Sequence, residues 1–257
     1  MPELPHGLTP LEIGGGKVDI LGAGAFRLVI PPTSKYADAQ VDDHRTLARG
    51  SFPHQPGFSM RLRAAASHAQ PRGTLGFGLW NDPFAASLGQ AGAGRRLPVA
   101  PRAIWFFYAS DPSDLPLMPG LPGSGWKASS LDAPHIPALL LAPLAIGAIA
   151  LAKFPWTRRP VMRRALRSIR AAEAVLTNRL DQEHEVELAW TERGVDFRVD
   201  GGQVLHAPHP PPGPLGFVAW IDNQYGVASP ERGFGFGVVP TVEEQWLEIR
   251  GLEISEG

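Results

Sequence analysis

Between Glu185 and Gly202 the chain alternates apolar and polar residues with a period of two. Val186, Leu188 and Trp190 alternate with Glu185 and Glu187, and Thr191-Glu192-Arg193-Gly194 supplies a turn. Val195, Phe197 and Val199 then alternate with Asp196 and Arg198 up to a second turn at Asp200-Gly201-Gly202. Successive side chains of a strand point to opposite faces, so this stretch is an antiparallel meander with one buried face. Further strand-like runs lie at Phe26–Ile30, ended by Pro31-Pro32, at Phe58–Arg63, at Ile104–Tyr108 and at Trp246–Ile254. With 29 glycines and 27 prolines in 257 residues, many short strands joined by turns suit the chain better than helices. The length fits one large β domain, and an apolar content of 44% supports a core.

A second feature is a repeated phrase. Gly76-Phe77-Gly78-Leu79-Trp80-Asn81-Asp82 returns as Gly216-Phe217-Val218-Ala219-Trp220-Ile221-Asp222. In an extended strand each copy sets its Trp and Asp on one face and its Phe on the other. A flat ring beside a carboxylate suits a ligand with apolar faces and polar edges, such as a sugar. Trp80, Asp82, Trp220 and Asp222 are therefore candidate groove residues, extended by Asn81, Asn223, Gln224 and Tyr225 at the strand ends and by Trp105 and Tyr108. Asp82 and Asp222 are also the candidate catalytic pair, acting as acid and base on a glycosidic bond. The competing reading is structural: both tryptophans fill the core and both aspartates cap turns, Asp82 before Pro83 above all.

The middle of the chain differs. Asp111–Gly125 is dense in proline and glycine and reads as an irregular loop, taken to extend over 111–132. Ala133–Ala152 carries no formal charge across 20 residues, and a basic run then follows with Arg158, Arg159, Arg163, Arg164, Arg167 and Arg170. Met162, Ala165, Leu166, Ile169 and Leu176 recur opposite those arginines at helical spacing, which predicts a helical insertion over about 133–177. Pro134, Pro137 and Pro143 interrupt the apolar segment, and a single span would put the two Trp/Asp strands on opposite sides of a bilayer. Three readings stay open. A hairpin dips into one leaflet with its arginines on anionic headgroups, or it packs as a lid over the groove, or it buries its apolar face in a homodimer.

Other chemistry is thin. A net charge of −1 gives no general attraction to nucleic acid, and the absence of cysteine excludes disulfides and thiolate metal sites. His206 and His209 are three apart but flanked by Pro208 and Pro210, so no metal site and no cofactor are expected. Glu183, Glu185 and Glu187 alternate on a strand whose other face is already claimed by the core, which leaves them in solvent. Met1–Lys17 lacks the basic start and apolar stretch of a signal peptide, so a cytoplasmic location is expected, peripheral on the inner face of the membrane if the insertion meets lipid.

The run Glu185–Gly202, with Trp190-Thr191 ending one strand and Asp200-Gly201 ending the next, resembles the concanavalin A-like lectin/glucanase superfamily. It looks like the hairpin of family-sixteen glycoside hydrolases and laminin G-like modules, and the closing Trp246–Ile254 strand is similar too. The resemblance implies an all-β, two-sheet antiparallel jelly roll, a single domain over 1–257, with a glycan-binding concave face. No E-x-D-x-E strand is present, so the catalytic residues of the family find no counterparts here. The expected function is lectin-like binding of a carbohydrate or glycolipid-like ligand. The alternatives are a divergent glycoside hydrolase using Asp82 and Asp222 and a structural membrane-associated module.

Overall fold

The computed structural model describes residues 4–83, 99–134 and 155–257. Two seven-stranded antiparallel sheets form a sandwich. The first runs, in spatial order, β1 (Thr9–Ile13), β4 (Asp38–Asp42), β13 (Gly216–Asp222), β6 (Thr74–Trp80), β7 (Arg102–Ala109), β8 (Gly125–Asp132) and β9 (Arg170–Val175). The second runs β12 (Gly202–Ala207), β11 (Gly194–Val199), β10 (His184–Thr191), β5 (Ser59–Ala66), β16 (Gln245–Ser255), β3 (Ala25–Ile30) and β2 (Lys17–Gly22). A separate hairpin joins β14 (Gln224–Ser229) to β15 (Gly233–Val238), and among the described residues one α-helix, α1, spans Pro155–Ser168.

The period-two alternation produces the core directly. From the second sheet Met60, Leu62, Val186, Leu188, Trp190 and Phe197 turn inward, while Arg61 and Arg63 meet Glu185, Glu187 and Glu183 on the outer side. These exposed ion pairs contribute little to stability. From the first sheet Phe77, Phe106 and Phe217 pack inward with almost no exposure. The β11–β12 turn is set by Asp200 and Gly201, at φ 50° and 76°; two successive residues with positive φ are what a tight two-residue hairpin needs.

Two parts of the sequence reading change. Gly125–Asp132, placed in the Pro/Gly loop, is strand β8. Its Lys127 and Ser129 are buried as deeply as Trp126 and Ala128, so no polar-out pattern marks it. The helix ends at Ser168, and Arg170 begins strand β9, which pairs with β8. Leu176 therefore belongs to the sandwich core and not to a helix face. The apolar segment, and with it the lid and homodimer readings, falls largely on 135–154, outside the described residues. Among the described residues no helix is long and apolar enough to cross a membrane.

Candidate functional site

The two copies of the repeated phrase lie on adjacent strands, β6 and β13, which run antiparallel. Trp80 stands opposite Gly216 and Trp220 opposite Gly76. Leu75, Phe77 and Leu79 point into the core, as do Phe217, Ala219 and Ile221. Strand parity therefore sends both tryptophans to the outer face of the first sheet, where both are half-buried. Neighbouring β7 adds Trp105 and Phe107 to that face and turns Ile104, Phe106 and Tyr108 inward.

The result is a continuous aromatic row. Ring centroids lie 6.3 Å apart for Trp80–Trp105, 5.4 Å for Trp105–Trp220 and 5.5 Å for Trp105–Phe107. Glycine in β6 makes room for it. A Cβ at Gly76 would stand 2.7 Å from the Trp220 ring, and one at Gly78 would stand 2.8 Å from the Trp105 Cβ. Either contact is too close for carbon, so any larger residue would displace the rings.

Both outer indoles of the row are tied down by their N–H groups. Trp80 Nε1 donates to His44 Nε2 at 3.0 Å. An indole nitrogen only donates, so His44 carries its proton on Nδ1 and donates it to the Phe217 carbonyl at 3.1 Å. Gly216 admits this imidazole, since a Cβ there would meet the ring at 2.4 Å. Behind it Asp43 accepts from the Phe217 backbone N–H at 2.9 Å and from His54 at 2.6 Å. Burial would lower the His54 pKa, but the hydrogen bonds and charges of Asp43 and Glu256 outweigh that and raise it.

Trp220 Nε1 donates to Thr74 Oγ1 at 3.0 Å, and Thr74 in turn donates to Asp222 Oδ1 at 2.8 Å. Asp222 pairs in register with Asp38 of β4, so two carboxyl groups stand side by side on the outer face. Burial pushes the Asp222 pKa up to about 6, against hydrogen bonds from Gln224 and Thr74 that pull it down. Asp38 is raised well above the usual carboxylate range by burial first and by the Asp222 charge second, with the Tyr36 hydroxyl bond opposing. At neutral pH this pair resists full ionisation.

Several candidates sit elsewhere. Tyr108 is in the core at 6% exposure, where burial first and the Asp111 charge second raise its pKa to about 12; Phe107 takes the outward place instead. Asn81 is buried, donating to the Ala100 carbonyl at 2.8 Å and accepting from the Arg102 N–H at 3.0 Å. Asn223 is fully buried and bridges Lys35 and Ala37. Gln224 and Tyr225 open the separate hairpin, with the Tyr225 ring lying over Gly237. Asp82 lies past the end of β6 at φ 46°, and Asp222 stands at the other end of the same strand, opposite Thr74. The seven residues of β6 between them span about 20 Å. That separation is far beyond the roughly 5–9.5 Å of paired glycosidase carboxylates, so Asp82 and Asp222 do not form an acid/base pair.

His44, Thr74, Phe107 and Asp38 complete the face without having been singled out in the sequence. Phe107 was open to the parity rule, being two residues from Trp105. The other three depend on which strands become neighbours. Among the described residues no group of three acids or histidines has metal-binding geometry. A separate cleft of about 570 Å³, between the 116–121 loop and α1, shares no residue with the aromatic row.

No protein-family model matches the chain, and no curated protein sequence matches it. Solved structures do. A glycoside hydrolase family 16 endo-glucanase from Bacteroides ovatus aligns at TM-score 0.51 and 9% identity, over 96% of this chain and 94% of that one. The carbohydrate recognition domain of Emp47p aligns at TM-score 0.48 and 10% identity, over 99% and 90% of the two chains. A sialidase aligns at TM-score 0.43 and 9% identity over 97% of this chain, which spans only 17% of the sialidase. The chain folds as a concanavalin A-like jelly roll, the fold its Glu185–Gly202 hairpin resembles.

Proposed function

We propose that this protein binds a carbohydrate or the glycan of a glycolipid-like ligand across the outer face of its first sheet. The carrying observation is the row Trp80–Trp105–Trp220, half-exposed, laid on glycine and anchored by its indole N–H groups to His44 and Thr74. Fixed rings with solvent-facing surface offer stacking area for the apolar faces of a sugar at low entropic cost. Gln40 and Asp222 are partly exposed on the same face and supply hydrogen-bonding edges. The endo-glucanase neighbour makes glucan oligosaccharides sensible first probes. Binding without turnover is the favoured activity, because the Asp82–Asp222 separation argues against an acid/base role for that pair.

A glycan array probed with the wild-type protein tests this, followed by titration of the best hit against Trp80→Ala, Trp105→Ala and Trp220→Ala. Each variant is expected to weaken binding about tenfold. An array blank with wild type, or variants that bind as wild type does, would remove the reading.

A second part of the proposal concerns attachment. α1 carries Arg158, Arg159, Arg163, Arg164 and Arg167 without one acidic residue, and Arg159, Arg163, Arg164 and Arg167 are exposed. This favours peripheral contact with an anionic membrane. Arg170 is exposed on β9 next to the helix end, so it is a strand residue and not part of the helical face. Vesicle sedimentation across a salt series checks the contact, which is expected to weaken as salt rises; equal binding at all salt concentrations would contradict it.

A further inference from the structure

The glycine-rich run Gly233-Phe234-Gly235-Phe236-Gly237-Val238, unremarkable as sequence, has a distinctive placement. It forms β15, and its three glycines share a face of the ribbon with the Tyr225 and Val227 side chains of β14. A Cβ at Gly237 would stand 2.6 Å from the Tyr225 ring, and one at Gly235 would stand 3.7 Å from Val227. The three alternate residues, Phe234, Phe236 and Val238, all point the other way, into solvent. Phe236 is 87% exposed and Phe234 43%. A run of aligned exposed apolar side chains marks an interaction surface in a way that scattered ones do not.

What lies beside the ladder identifies the partner. Arg158 of α1 donates to the Glu231 carbonyl at 3.2 Å, which fixes the start of the helix against the β14–β15 turn. Trp156, 75% exposed, sits at the same end of the helix. Glu231 sets one negative charge at the turn against the four exposed arginines of α1. Exposed aromatic side chains next to a basic helix fit the headgroup–acyl boundary of an anionic bilayer, where rings bury and guanidinium groups meet phosphate.

We propose that the β14–β15 hairpin is a membrane-inserting element, with Phe234 and Phe236 entering the interface of an anionic membrane while the arginines of α1 hold the headgroups. The proposal rests on the reading that α1 meets a membrane, and adds the element that penetrates it. β13 leads directly into β14, so a docked hairpin holds the Trp220–Asp222 end of the aromatic row close to the bilayer surface. A glycan carried on a lipid would be presented there.

The test uses the full chain with vesicles of phosphatidylserine and phosphatidylcholine, and with phosphatidylcholine alone. Phe234→Ser and Phe236→Ser are each expected to weaken binding to the anionic vesicles about tenfold, leaving the salt dependence intact. Arg163→Glu with Arg167→Glu is expected to abolish the preference for anionic lipid, by about fivefold or more per arginine. The chain contains no cysteine, so Phe236→Cys gives a single attachment point for an environment-sensitive fluorophore. Its emission is expected to shift to the blue on adding anionic vesicles. Serine variants that bind as wild type does, with no fluorophore shift, would overturn the hairpin and leave the helix reading standing. Wild type that binds no vesicle would overturn both. Self-association lost in Phe236→Ser, without vesicle binding, would assign the ladder to a second copy and overturn the proposal.

Discussion

The two copies of G-F-x-x-W-x-D share four identical letters and come to different ends. In both, the strand parity holds: Phe77 and Phe217 are buried, and Trp80 and Trp220 look outward. The carboxylates then diverge. Asp222 is the last residue of β13, still within the ladder, paired with Thr74 on one side and Asp38 on the other. Asp82 has left its strand, sits at positive φ before Pro83, and has its carbonyl held by Arg49 at 2.5 Å. Antiparallel pairing sends the ends of identical phrases to opposite edges of a sheet. The repeat thus builds one row of rings and no pair of acids.

The opening glycines give the largest expected effects. Gly76→Leu would drive a side chain against the Phe106 carbonyl and the Trp220 ring, and Gly216→Leu would drive one into the His44 imidazole. Each is expected to cost about 3 kcal/mol, read by urea unfolding, with Gly76→Leu also abolishing ligand binding through Trp220. Unchanged stability in either would mean that the glycines are not there to seat the rings.

Next comes the carboxylate contrast. The Asp222 pKa is raised from 3.8 to about 6, so the folded state holds this proton more tightly than the unfolded chain. Its contribution to stability is full below about pH 4 and is lost as pH rises through about 6. Asp222→Asn keeps an oxygen to accept from Thr74 and Gln224 and removes the charge facing Asp38. It is expected to stabilise the protein by about 2–3 kcal/mol at pH 8 and by little at pH 4. Thermal melts across that range check the sign. Asp82→Asn producing the same pH-dependent gain would erase the distinction between the copies.

The smallest effect separates the two anchors. Trp80→Phe and Trp220→Phe keep a ring and delete the N–H bonds to His44 and Thr74, each at about 1 kcal/mol. Trp80→Phe is expected to cost more, because the His44 acceptor is buried and Thr74 keeps its bond to Asp222. Equal costs would show that the imidazole contact adds nothing beyond an ordinary hydrogen bond.

How much of this could be read from the letters follows from where the determinants lie. The β10–β11 hairpin, β3, β5, β7 and β16 were legible as runs of apolar or alternating residues bounded by turn residues. β8 was not legible, since Lys127 is buried in an ion pair with Glu173 at 3.0 Å and hides the alternation. β9 was read as helix because Leu176 continues the helical spacing of Met162, Ala165, Leu166 and Ile169, a pattern that pairing with β8 overrides. In the site, Trp80 and Trp220 came from the repeated phrase and strand parity, and Trp105 from the aromatic run Ile104–Tyr108. Asp38 and His44 needed the strand order β4–β13–β6, a tertiary fact that no local pattern carries.

The central claim is that the outer aromatic row is where a glycan stacks. Fluorine NMR of the protein labelled with 5-fluorotryptophan reads all seven tryptophans separately. On adding a glycan that the array identifies, the resonances of Trp80, Trp105 and Trp220 should shift together while the core residues Trp126 and Trp190 stay fixed. Shifts confined to Trp156 or Trp246, or no shift at a saturating concentration of that glycan, would contradict it.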